Sequence, residues 1–333
     1  MGMRVARRAL IDEARSQNFH VTSRVVDRRF IFEDGEKEYF LRVMRRLEAF
    51  TGVQVLSYCL MSNHFHLLLH IPIRPEKIGE EEVMRRIRGY YSERYSGEIQ
   101  EYLRELERTG NTQLKEAYLN RFRERMYDLS GFVKELKLKF SKYYNAQNDR
   151  KGTLWEERYK CSLVEGQSNA LMNTAAYIEL NSVRAGIVDD PLKYRWCSYA
   201  EAAAGGKRAR DGIIRLASGM QTPLQYKEAL KVYRMFFLAK SVAQSGSKAG
   251  MDPEELHRQR ELSAEKGGGE FSNAKLRYFS EGLIIGSQEF IEEIYNRSKN
   301  LLNPTRKKVA SKVRELAGEL YSFRNTRSRE VIK

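Results

Sequence analysis

Residues 61–70 read Met-Ser-Asn-His-Phe-His-Leu-Leu-Leu-His, an apolar run interrupted by imidazoles and opened by a turn-like Ser62-Asn63. A short run of this kind reads as a buried β-strand. Side chains alternate along a strand, so His64 and His66 project from one face while Phe65 and Leu67 take the other. The chain has only five histidines, and a lone histidine among apolar residues is ordinarily a hydrogen-bonded core group. Two on one face are costly to bury without a shared partner, and neutral imidazole is a common ligand for divalent metals. The pair therefore reads as half of a metal site on one face of a sheet.

The surrounding pattern supplies that sheet. Residues 19–32 are rich in β-branched and aromatic side chains and read as a strand with a bend near Asp27. Tyr39, Phe40, Val43, Met44, Leu47 and Phe50 recur at helical spacing over residues 36–51, and Gly52 is the stop. Residues 53–60 form a second strand, and the histidine strand ends near Ile73. Residues 75–129 are charged and helix-prone, a helical insertion. Residues 132–144 continue as an amphipathic helix, residues 154–164 end in a last strand, and a helix follows over residues 168–183. This order predicts an α+β fold, a ferredoxin-like βαββαβ antiparallel sheet with a helical insertion and a mainly helical C-terminal region. We divide it as residues 1–205, with the insertion at 75–129; residues 206–250, linker and helix, with small polar runs at 202–210 and 241–250; and a basic helical region, 251–333. Within the last, residues 271–295 suit two short helices with a turn, a candidate helix-turn-helix.

Charge points to the partner. Lys and Arg number 59 against 44 acidic residues, a net charge of +15, and residues 297–333 hold 11 basic against 3 acidic residues. Such a positive field suits a polyanion, nucleic acid above all. The three cysteines, Cys59, Cys161 and Cys197, show no C-x-x-C pairing, which argues against a disulfide framework or a zinc ribbon. No apolar run has transmembrane length and no signal peptide is evident, so a cytoplasmic, nucleoid-associated protein is expected.

Four stretches carry a family resemblance: residues 19–24 (FHVTSR), 58–69 (YCLMSNHFHLLL), 152–160 (GTLWEERYK) and 177–186 (YIELNSVRAG). In this order they resemble the single-tyrosine HUH transposases, specifically the REP-associated tyrosine transposase group related to insertion-sequence transposases. The resemblance spans about residues 15–200. It implies a ferredoxin-like nuclease domain that cuts single-stranded, hairpin or palindromic DNA by transesterification, leaving a 5′-phosphotyrosine and a free 3′-hydroxyl. It also implies a metal bound by His64 and His66, Tyr177 as nucleophile, and Asn181 as third ligand, with Mg²⁺ or Mn²⁺ as the ion. Residues i and i+4 share a helix face, so Tyr177 and Asn181 point together. A divalent ion there can polarise a phosphate and bring a phenol into attack range.

Competing assignments are open at this point. Tyr143 and Tyr144 form a tyrosine pair on a helix and are the alternative nucleophiles. Glu179 sits at i+2 from Tyr177, on another face. His70 shares the parity of His64 and His66, and His20 can approach the site across the sheet, although structural roles suit both. Arg24, Lys142, Arg150, Lys151, Arg158, Lys160 and Arg184 are candidate nucleic-acid contacts, with Arg28 and Arg29 beside them. Trp155 and Tyr159 suit base stacking or core packing. Ser182 stands where many relatives have proline, which would let the catalytic helix run on. The rival readings are a non-catalytic DNA-binding regulator on the same fold and an RNA-binding protein; the active form is a monomer or a homodimer.

Overall fold

The structure is a computed structural model that describes residues 10–166, 169–219, 223–244, 279, 282–298, 310–313 and 320–323. Most of the expected basic helical region, 251–333, lies outside the described residues, as do residues 271–278 and 280–281 of the candidate helix-turn-helix.

Four strands form the central sheet: β1 (Gln17–Arg24), β2 (Gln54–Leu60), β3 (His64–Ile71) and β4 (Lys160–Val164). Their order is β2-β3-β1-β4, every neighbouring pair antiparallel. Two helices connect them, α1 (Asp34–Thr51) between β1 and β2 and α5 (Leu129–Gln147) before β4. That is the ferredoxin-like connectivity expected. The insertion, α2 (Glu80–Tyr90), α3 (Glu93–Arg108) and α4 (Thr112–Arg123), leaves between β3 and α5. It is stitched to α1 by Arg86, whose guanidinium donates to Phe50 O at 3.1 Å and to the Tyr127 hydroxyl at 2.8 Å. α1 ends because Gly52 takes a left-handed φ of 77°, and a Cβ there would lie 2.8 Å from Arg86.

β3 is covered on both faces. Phe65 meets Phe40 of α1 and Trp155, and Phe140 of α5 joins the same aromatic cluster. On the other face lies α6 (Ala170–Glu179), whose Tyr177 meets His66. The alternation of a strand thus separates a dry aromatic layer from a polar one, one residue apart.

Three helices complete the polar-face layer: α8 (Ser198–Ala203), α9 (Lys207–Ser218) and α10 (Tyr226–Gln244). The run at 202–210, expected as a linker, is instead the end of α8, a tight turn and the start of α9. Gly212 explains the docking: a Cβ would sit 2.5 Å from Leu56 O, so α9 approaches the β2 backbone as only glycine allows. Glu179 is a second tie. Buried, it accepts from Ser57 at 3.0 Å, from the Ser198 hydroxyl and from Tyr199 N at 3.2 Å, linking α6 to β2 and α8.

The C-terminal region was expected to be mainly helical, yet its described part extends the sheet. β5 (Ile284–Gly286) pairs parallel to β4, followed across the sheet by β7 (Tyr321–Phe323) and β6 (Ser311–Lys312). Strands of two or three residues fall below the length at which periodicity speaks. α11 (Gln288–Arg297) begins at Ser287, whose hydroxyl accepts from Phe290 N, a serine cap. The expected two-helix unit over residues 271–295 is therefore replaced, in its described part, by a strand and one helix. The first strand also ends earlier than expected, at Arg24, because Asp27 and Arg28 take φ of 57° and 54°.

Candidate functional site

The polar face of β1 and β3, α6 and the start of β4 enclose a cleft of about 380 Å³. His64, His66, Tyr177 and Asn181 all line it, so the four residues chosen from the sequence converge. The rings of His64 and His66 lie 5.0 Å apart at 79°, and Tyr177 stands edge-on to His66 at 5.6 Å.

Local hydrogen bonds aim the side chains. The Asn63 amide donates to Arg28 O at 3.0 Å, which turns its oxygen toward His64 Nδ1 at 2.7 Å. Nδ1 of His64 then carries the proton, and Nε2 keeps its lone pair. Burial, aided by the positive charges of Arg24 and Arg184, lowers the His64 pKa to about 4. Burial first, then the neighbouring His64 and His20 and the charges of Arg184 and Arg24, hold His66 well below the usual imidazole range. Asn181 donates through Nδ2 to Tyr177 O and Ile178 O, both at 3.1 Å, so its Oδ1 is left to the cleft. Two imidazoles and one amide oxygen make a neutral donor set that fits a divalent ion and leaves the ion's charge for an anion. Among the described residues no cluster of three or more His, Cys, Asp or Glu could hold a metal, so an amide ligand is needed for a three-residue site.

Tyr177 is held from several sides. The Arg184 guanidinium lies 4.4 Å from its ring centroid and also donates to its carbonyl, and Phe279 stacks on the ring at 4.7 Å and 18°. Burial raises the Tyr177 pKa, while Arg184 and Arg24 oppose that rise. Arg184 is itself pushed down to about 10, by burial against the pull of Tyr177. Helix does continue past Ser182, to Arg184, but not as one unbroken run. It breaks at Leu180 (ψ 4°) into α6 and α7 (Asn181–Arg184), because the side chains of Asn181 and Arg184 turn back to the Tyr177 carbonyl.

The remaining candidates divide. Arg24, Arg28, Arg158 and Lys160 line the cleft, with Glu156 and Glu157 beside them. Lys142, Arg150 and Lys151 lie at the end of α5 and in the turn after it, outside the cleft lining, and Arg150 donates to Thr153 O at 3.2 Å. Tyr143 stacks on Tyr39 at 3.8 Å and Tyr144 on Phe140, on the aromatic side of the sheet, away from the histidine face. Trp155 donates to the Ser141 hydroxyl at 2.8 Å and packs on Phe32, Phe65 and Phe140, while Tyr159 is buried with its hydroxyl on Ser130, so both are core residues here. His70 points to the same face as His66 but is engaged by Asn18 at 2.9 Å and Arg215 at 2.7 Å, at the far end of the strand.

His20 is what sequence reasoning underweighted. It lies diagonally from His66 across the β1–β3 ladder, its ring stacked at 5.2 Å and 16°, with Nε2 3.0 Å from His66 Nδ1. Its Nδ1 is 3.0 Å from Phe279 O. Neither contact has a local sequence signal, since 46 and 259 residues separate the partners.

Residues 13–119 match the model of the transposase IS200-like family. That match takes in β1 through α4, with both cleft histidines, and stops before Tyr177 and Asn181. A solved structure of a REP-associated tyrosine transposase bound to a REP hairpin aligns at a TM-score of 0.36 and 11% identity, over 57% of this chain and 81% of that one. A likeness at that level adds no argument. No curated protein matches. The family match covers residues 13–119 and leaves the rest of the chain unmatched. Among the described residues no helix is long and apolar enough to cross a membrane.

Proposed function

We propose that this IS200-like chain is a metal-dependent single-strand DNA endonuclease and strand transferase acting on hairpin or palindromic DNA. The observation that carries the reading is the convergence of a buried phenol, two neutral imidazoles and an outward amide oxygen in one cleft ringed by cations. Binding alone requires no phenol set edge-on to a histidine pair.

In this reading His64, His66 and Asn181 hold Mg²⁺ or Mn²⁺, which when bound withdraws charge from the scissile phosphate. Arg24, Arg28, Arg158 and Lys160 guide the backbone to the cleft. Tyr177 Oη attacks phosphorus and forms the 5′-phosphotyrosine bond. The P–O3′ bond breaks, the phenol proton passes to water, and the 3′-oxygen leaves as a hydroxyl after taking a proton from solvent. The Arg184 charge beside the ring favours the phenolate developing in the attack. A later attack by a 3′-hydroxyl on the same phosphotyrosine restores the phenol and joins the strands.

The test is covalent capture. The full chain is incubated with Mn²⁺ and a randomised pool of single-stranded hairpin oligonucleotides, then denatured. A denaturation-resistant adduct is expected for wild type and absent for Tyr177→Phe, for the chelated protein, and with matched RNA hairpins. An equal adduct from Tyr177→Phe removes Tyr177 as nucleophile; binding without any adduct favours a DNA-binding regulator.

A further inference from the structure

Phe279 stands in the C-terminal region, yet it touches the cleft-lining Tyr177 and also His20, which lies against the cleft-lining His66. Its carbonyl faces His20 Nδ1 at 3.0 Å and its ring stacks on Tyr177 at 4.7 Å. The segment that follows it is bound to β4: the Ser162 hydroxyl donates to Gly282 O, Leu163 N to Leu283 O at 2.9 Å, and Glu165 N to Ile285 O at 2.9 Å. The position of Phe279 is therefore linked to the docking of β5.

The carbonyl decides a chain of protons. A carbonyl only accepts, so His20 Nδ1 carries hydrogen. In neutral His20 the Nε2 is then an acceptor, and the ring nitrogen facing it, His66 Nδ1, must donate. Neutral His66 with hydrogen on Nδ1 has a bare Nε2. His20 is fully buried and stacked on a second imidazole, surroundings that disfavour a charged ring and keep it neutral. His64 reaches the same state by a separate route through Asn63 and Arg28 O. The tautomer with hydrogen on Nε2, the commoner one for imidazole in water, would instead place a donor where a metal needs a lone pair.

We infer that His20 is a positioning residue of the metal centre, and that the Phe279 carbonyl, brought by the C-terminal segment, selects through His20 the His66 tautomer able to bind a divalent ion. The inference rests on the proposed function only in taking His66 as a metal ligand. The C-terminal region thereby contributes to the cleft in cis, and the Phe279 ring adds a separate contact to the nucleophile.

The experiment uses the full chain with ¹⁵N-labelled histidine, free of metal and DNA at pH 7. Long-range ¹H–¹⁵N spectra report which ring nitrogen is protonated, and Mn²⁺ titration followed by electron paramagnetic resonance reports affinity. Wild type is expected to show hydrogen on Nδ1 of both His64 and His66. In His20→Phe, His66 moves to the Nε2–H form while His64, held by Asn63, stays, and Mn²⁺ affinity falls about 10- to 100-fold. His20→Gln, whose amide can donate to Phe279 O and accept from His66, restores both readouts to within a few-fold. Phe279→Ala keeps the carbonyl and the tautomer, and slows only adduct formation. Hydrogen on Nε2 of wild-type His66, an unchanged tautomer in His20→Phe, or no rescue by His20→Gln overturns the inference. An intact tautomer pattern without adduct on any DNA would instead overturn the proposed function alone.

Discussion

Arg184 offers the sharpest test of how the cleft activates its phenol. The guanidinium lies 4.4 Å from the Tyr177 ring centroid and is the leading charge opposing the burial that raises the Tyr177 pKa. A unit charge acting over a separation on the order of 5 Å, at an effective dielectric constant of about 20, is worth about 3 kcal/mol, or roughly two pKa units. Water entering the space left by Arg184→Met screens part of that, so a loss of about 1–3 kcal/mol is expected, a 5- to 150-fold slower single-turnover adduct formation. The direction is fixed: without the cation the phenol ionises at higher pH, and the alkaline limb of the rate profile moves up. Arg184→Lys keeps the charge and loses the planar face and the fork that reaches the Tyr177 carbonyl. It should restore most of the pH position and only part of the rate. The assay is rapid-quench denaturing electrophoresis at several pH values, with circular dichroism to establish folding. A folded Arg184→Met that forms adduct within twofold of wild type, with an unmoved pH limb, would refute the electrostatic role.

Other sites give independent tests. Gly212→Ala adds a Cβ 2.5 Å from the Leu56 carbonyl; overpacking of about 1–3 kcal/mol outweighs the roughly 1 kcal/mol of helix propensity gained, so a lower melting temperature is expected by calorimetry, and a higher one would show that α9 does not rest on β2. Phe30, 79% exposed and two residues beyond the cleft-lining Arg28, is placed to stack on an unpaired base. Phe30→Ala is expected to weaken single-strand binding by about 1–3 kcal/mol in fluorescence anisotropy while sparing duplex binding, and equal loss on both would exclude stacking. His20 keeps its proton off until about pH 4 in the folded chain, because burial opposes the cation, whereas the unfolded chain takes the proton near 6.5. Its contribution, on the order of 3 kcal/mol, is whole above 6.5 and is lost as pH falls through 4. Urea midpoints at pH 7 and pH 4 should therefore diverge less in His20→Phe than in wild type, and an identical divergence would contradict it.

The elements with strong periodicity were legible because one physical cause decides them. Phe40, Val43, Met44, Leu47 and Phe50 are all buried on α1, and the alternation at His64, Phe65 and His66 appears in the structure as a histidine face and an aromatic face. Tyr177 and Asn181 were legible through the family resemblance, and the i, i+4 relation that places them on one side survives the break at Leu180. The edge strands after residue 280 were not: β5 and β7 have three residues each, and their stability comes from the neighbour they pair with.

His20 marks the boundary between the two kinds of information. Its place on a strand was readable, and so was its parity, but its meaning depends on the register of β1 against β3. That register sets Thr22 opposite His66 and leaves His20 on the diagonal, where a ring can stack on its neighbour and pass on a tautomer. A shift of one residue would have turned His20 to the aromatic face. The Phe279 carbonyl adds a second condition, the parallel pairing of β5 with β4, which no local pattern encodes. The ligands of the proposed metal site are thus specified by short sequence motifs, while the protonation pattern that lets His66 serve as one is specified by strand pairing across the whole chain. A variant that leaves every motif residue intact but loosens β5 should therefore still present two histidines, with only His64 held ready to bind.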